Sequence, residues 1–153
     1  MRDHIANAWA WVMVMFLEPI TCLAMAIYFE ARGEPTVGQV AVAHVIMNRV
    51  ESDDFPDTVC GVVTEGETYT AKPDLPIRHQ CQFSFYCDGK SDKPTDEDAL
   101  HWATSIAWGV YHKQIYDPTN GAVYYHADYV QPDWAETKRP VRQISRHIFY
   151  KEN

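Results

Sequence analysis

Ile27-Tyr28-Phe29-Glu30-Ala31-Arg32-Gly33-Glu34-Pro35 is the stretch on which the reading of the fold turns. Upstream of it, Ile20 to about Arg32 reads as an apolar helix, with Pro19 tolerated in its first turn. Gly33 reads as the stop, and Glu34, preceding a proline, is pushed away from helical angles. A second helix then runs Thr36 to Val50. Its apolar positions, Val37, Val40 to Ala43, Val45 to Met47 and Val50, cover nearly the whole circumference, which predicts burial on all sides. The junction of the two helices therefore carries an acid, Glu30, among apolar neighbours. Further upstream, Ile5 to Leu17 predicts another helix, breaking near Pro19. It is shorter than the roughly 20 residues a membrane span needs. A single Arg before it, and Glu18-Pro19 where a cleavage site would stand, fit a packed helix better than a secretion signal. The expected division is an N-terminal helical extension over residues 1–19 and one domain over 20–153.

Downstream, Asp57-Thr58 predicts the cap of a short helix ending at Val63. Glu65 to His79, with Pro73 and Pro76, predicts an irregular loop. Thr95 predicts the cap of a long helix whose start is enriched in acid (Asp96, Glu97, Asp98), with His112-Lys113 at its negative end. Ala99, Trp102, Ala103, Ile106 and Val110 supply its three- and four-residue steps. Asp117-Pro118-Thr119-Asn120-Gly121 is a turn signal. Ala122 to Ala127 and Gln143 to Tyr150 read as strands. The sum is an α+β domain, mostly helical, with a small antiparallel sheet toward the C-terminus.

The 153 residues are enough for one domain with its own core and no need of a partner, so a monomer is expected. A net charge of −8 argues against nucleic acid, which is held by Lys and Arg, and against an anionic membrane surface. Aromatic residues at 13% suit sugar stacking as well as a core. Cys22 lies in the apolar helix and reads as a buried thiol. A bridge among Cys60, Cys81 and Cys87 would suit an envelope or extracellular location.

Glu30 is the chemically interesting group. A carboxyl among Ile27, Tyr28, Phe29 and Ala31 ionises at a cost, so its pKa should rise and keep it a proton donor near neutrality. Glu34 is expected to act as a cap or as a partner of Arg32, and no second catalytic carboxylate is evident. Gln82, Phe83 and Ser84 place polar groups beside an aromatic on a loop that could line a sugar site. Tyr125 and His126 alternate along a strand and so point to opposite faces. His44 on an apolar helix reads as a satisfied core histidine. No His-Glu-x-x-His motif supports zinc, and no Gly-x-Ser-x-Gly surrounds Ser84.

Ordered along the chain, Ala26-Ile27-Tyr28-Phe29-Glu30-Ala31-Arg32-Gly33-Glu34-Pro35, Gly38-Gln39-Val40-Ala41-Val42-Ala43, Ile46-Met47-Asn48-Arg49-Val50, Phe55-Pro56-Asp57-Thr58-Val59-Cys60 and Cys81-Gln82-Phe83-Ser84 form a series. Tyr125-His126-Ala127, Pro132-Asp133-Trp134-Ala135 and His147-Ile148-Phe149-Tyr150 complete it. In this order they resemble the bacterial cell wall hydrolase family that includes the spore cortex-lytic enzymes. The resemblance implies a lysozyme-like fold, action on the β-1,4 bond of peptidoglycan glycan strands as a lytic transglycosylase, and no metal or cofactor. It makes Glu30 the catalytic acid/base and Glu34 a supporting residue. Tyr28, Arg32, Gln82, Phe83 and Ser84 join Tyr125 and His126 as substrate-binding residues. A lysozyme-type hydrolase and a non-catalytic glycan-binding module are the other readings considered. The implied place of action is the bacterial envelope, for a bacterial or a phage-encoded lysin. The stretch Glu65 to His79 looks peculiar to this chain and should reshape the cleft.

Overall fold

The computed structural model describes residues 18–153, and the helix expected over Ile5 to Leu17 lies outside them. Helix α1 covers residues 18–31 of the described chain, passing through Pro19, and stops where Gly33 and Pro35 end the run. Helices α2 (Thr36–Val50) and α3 (Val59–Val63) follow. Next come strands β1 (Gly66–Tyr69) and β2 (Lys72–Cys81), and a 3-10 turn over Ser84–Cys87. After α4 (Glu97–Tyr111) come β3 (Tyr124–Ala127), a 3-10 turn over Asp133–Thr137, β4 (Arg139–Ile144) and β5 (His147–Lys151). The fold is thus α+β, with a two-stranded β1-β2 sheet and a three-stranded sheet in the order β3-β5-β4, all antiparallel.

The uniform apolarity of α2 has a direct structural meaning. Val42, Ala43 and Ile46 pack with Leu23 and Ile27 of α1, Val59 and Val62 of α3, and Ile106 and Val110 of α4. Its other side, Ala41 and Val45, packs on Ala122, Ile144 and Phe149 at the sheet. Helix α2 is therefore the shared wall of two cores. Each fully buried aliphatic side chain there contributes roughly 1.5–3 kcal/mol. Val37, expected on the buried surface, is exposed.

Several expectations are corrected. Glu65 to His79 is no irregular loop: most of it forms the β1-β2 hairpin, paired Gly66↔Cys81, Thr68↔Pro76 and Tyr69↔Lys72 with irregular register. Its prolines mask the strand signal, yet proline is compatible with edge strands and bulges. Gln143 to Tyr150 is not one strand but the tight β4-β5 corner, where Ser145 takes a left-handed φ of 51° and Ile144 pairs with His147. Strand β3 begins at Tyr124 rather than Ala122. The cap of α4 is Asp96, whose side chain accepts from Ala99 N at 3.0 Å, while Thr95 offers its N–H to Tyr28. Cys22 is not a free thiol. It bridges to Cys60 and ties α1 to α3, and Cys81 bridges to Cys87.

Candidate active site

Glu30 occupies the next-to-last position of α1, where the helix meets the three-stranded sheet. Burial raises its pKa above the ordinary 4.5, and a hydrogen bond from Tyr125 opposes that rise. Tyr125 Oη donates to Glu30 Oε2 at 3.3 Å. The ring is held by stacking on Phe149, its partner across the β3-β5 ladder, and by a tilted contact with His147. Burial and the neighbouring Glu30 charge push the Tyr125 phenol well above its ordinary value, so it stays a hydroxyl donor. The pair is thus an acid whose surroundings favour its proton, with a fixed donor ready for its carboxylate form.

What fixes β3 in place is the end of α2. Asn48 Nδ2 donates to Ala122 O at 2.9 Å, and Arg49 Nε donates to Val123 O at 2.7 Å. The Arg49 guanidinium is buried and lies over the rings of Phe55, Phe83 and Tyr124. It also interacts electrostatically with Tyr125 and Glu65. Arg49 and Glu65 were not singled out from the sequence. A charged residue on the last turn of an otherwise apolar helix was the available signal for Arg49. Nothing local marks Glu65, whose surroundings are created by the hairpin.

The remaining expected residues fall into three groups. Tyr28 and Phe83 are 1% and 2% exposed and belong to the packing. The Tyr28 hydroxyl accepts from Thr95 N and Asp96 N at the start of α4, so it is not a surface for a ligand. Arg32 is exposed, with its guanidinium 4.5 Å from the centre of the Tyr28 ring. No ion pair joins it to Glu34 among the described residues, whose ion pairs lie elsewhere. Glu34 instead closes the turn after α1, its N–H donating to Ala31 O and its carbonyl accepting from Gln39 Nε2, and its charge acts on His147. Gln82 and Ser84 are exposed, and Gln82 lines a cavity of about 450 Å³.

His126 lies away from this centre. It points to the opposite face of β3, bonds Tyr150 Oη at 2.8 Å, meets Trp134 edge-on and lines a separate cavity of about 530 Å³. His44 is satisfied by the Ile115 carbonyl at 2.9 Å.

Residues 33–150 match the cell wall hydrolase family. A spore cortex-lytic enzyme of Bacillus cereus is 38% identical over 133 residues, covering 86% of this chain and 44% of that protein. The spore cortex-lytic enzyme of Bacillus subtilis is 35% identical, covering 85% of this chain and 36% of its own length. The chain thus spans less than half the length of these curated relatives. Among solved structures, the catalytic domain of the Bacillus cereus SleB protein superposes with a TM-score of 0.60 at 36% identity, covering 87% of this chain and 89% of that one. The catalytic domain of the germination-specific lytic transglycosylase SleB from Bacillus anthracis gives 0.57 at 36% identity, covering 87% and 93%.

Proposed function

The chain belongs to the cell wall hydrolase family, and from that premise we propose that it cleaves peptidoglycan glycan strands at the β-1,4 bond between N-acetylmuramic acid and N-acetylglucosamine, with Glu30 as the single acid/base. The observation that carries this reading is the Glu30 carboxyl itself, buried enough to favour its proton and hydrogen-bonded by Tyr125. In the first step Glu30 gives its proton to the glycosidic oxygen. The C1–O bond breaks, and its electron pair leaves with the N-acetylglucosamine oxygen. Positive charge develops at C1 of the muramic sugar. In the second step the Glu30 carboxylate, steadied by the Tyr125 O–H, takes the proton of the same sugar's 6-hydroxyl as that oxygen closes on C1. The products are a free 4-hydroxyl and a 1,6-anhydro end, and Glu30 is protonated again. The acid of one step becomes the base of the next.

We assign the catalytic unit to residues 20–153 and its action to the bacterial envelope. The Cys22–Cys60 and Cys81–Cys87 bridges support an oxidising compartment. The test is digestion of purified walls by the wild type and Glu30→Gln, with the fragments weighed. Wild type should yield anhydro ends, and the variant should lose about 10²–10⁴ in rate. Reducing ends alone would replace transglycosylation by lysozyme-type hydrolysis. Walls bound but left intact by the wild type would leave a glycan-binding module.

A further inference from the structure

The β1-β2 hairpin builds a polar cavity of about 450 Å³ lined by Glu65, Gly66, Glu67, Gln80 and Gln82. We propose that this cavity is an additional saccharide subsite in which Glu65 accepts a hydrogen bond from a hydroxyl or N-acetyl N–H of the glycan, with Gln80 and Gln82 completing the contact. The identity of the ligand as a glycan rests on the function proposed above.

Three features make it a built site. Glu65 Oε2 is enclosed and has no hydrogen-bond partner. A carboxylate oxygen without a donor costs stability, and a hydroxyl or amide in the cavity would supply that donor once the Glu65 carboxylate turns toward it. Second, the neighbouring Arg49 cation balances the Glu65 charge, so the site favours a neutral, donor-rich group over a free cation. Third, the wall is rigid. Gln82 N donates to Glu65 O at 2.9 Å, Cys81 is bridged to Cys87, and a Cβ at Gly66 would lie 2.8 Å from Gln80 O. Arg49 links the cavity to the candidate centre, since it interacts electrostatically with both Glu65 and Tyr125. Residue 82 precedes Phe83, whose ring lies under the same Arg49 that acts on Tyr125, the donor to Glu30.

The probe is a β-1,4-linked N-acetylglucosamine hexamer, titrated calorimetrically into the full chain carrying Glu30→Gln, alone and combined with Glu65→Ala or with Gln80→Ala. Glu65→Ala should weaken binding about tenfold, as expected for loss of a hydrogen bond to a charged acceptor. Gln80→Ala, on an exposed side chain, should weaken it several-fold and remains readable should Glu65→Ala fail to fold. Affinities within about twofold of the parent for both variants, or no binding of the hexamer by the parent, overturn the subsite. Wall digestion by the unsubstituted chain reports separately on cleavage. Intact walls with a Glu65-dependent hexamer affinity sink the cleavage reading alone, and cleaved walls with no Glu65 effect sink the subsite alone.

Discussion

At the scale of single residues, Glu30 sits where its charge is unwelcome, next to the negative end of α1 and largely out of water. Its folded pKa is raised, so above 4.5 the folded state holds a proton that the unfolded chain releases. Stability then falls as pH rises from 4.5 through the folded value. Glu30→Gln should therefore raise Tm at neutral pH, and the gain should vanish below pH 4.5. A gain that persisted in acid would point to packing rather than charge. Tyr125→Phe removes the donor that opposes the rise. The alkaline limb of the wall-cleavage pH profile, where Glu30 loses the proton it must donate, should move to higher pH. The rate at the optimum should fall, because the carboxylate of the second step loses its donor. An unmoved limb would mean that Tyr125 has no part in Glu30 titration. Glu30 was legible in the sequence because its apolar neighbours are local. Arg49 and Glu65 were not, because Arg49 gains its place from the Val123 carbonyl, 74 residues away, and Glu65 from a hairpin.

At the scale of elements, the loop 117–121 decides where β3 enters the sheet. The Asp117 carboxylate accepts from Thr119 N, Thr119 Oγ1, Gly121 N and Asn48 Nδ2 at 2.7–3.0 Å. Burial alone would raise its pKa, but these four donors outweigh it and hold the value below 3.8. They also hold Asn120 and Gly121 in left-handed conformations, φ 55° and 85°. Asp117→Ala should cost about 2–4 kcal/mol, since it strands donors that a charged acceptor satisfied. The penalty, measured by urea unfolding, should be full at pH 7 and shrink as pH falls from 3.8 through the lower folded value, below which the wild-type carboxylate is itself protonated. A cost under about 0.5 kcal/mol would show the loop to be held by its backbone alone. This turn was readable from Asp117-Pro118-Thr119-Asn120-Gly121, as was α2 from its apolar run, because both signals are contained within a few residues. The β1-β2 and β4-β5 hairpins were not. Prolines obscured the first, and the second turns at Ser145, without the Asn-Gly or Asp-Gly that announces such a corner.

At the scale of the whole molecule, stability depends on holding α1, and with it Glu30, against the core it shares with α2, α3 and α4. The Cys22–Cys60 bridge does this directly, since Cys22 lies two turns before Glu30 and Cys60 lies in α3. It spans a sequence separation of 38, against 6 for Cys81–Cys87. Chain-entropy reasoning assigns about 4 kcal/mol to the longer loop and about 2 kcal/mol to the shorter. In a domain of this size that corresponds to roughly 10 °C of Tm for Cys22→Ser/Cys60→Ser and about half as much for Cys81→Ser/Cys87→Ser. The functional consequences should divide the other way. Losing the long bridge leaves the β1-β2 hairpin and its cavity intact, so cleavage at temperatures well below the lowered Tm should be nearly unchanged. Losing the short bridge frees the base of the hairpin beside Glu65 and Gln82, and hexamer binding should weaken while most of the fold's stability remains. Calorimetric melting and hexamer titration of both double variants check the pair of statements. If the short-bridge variant melted lower yet bound the hexamer normally, the hairpin would be a structural staple of the fold rather than a wall of a binding cavity.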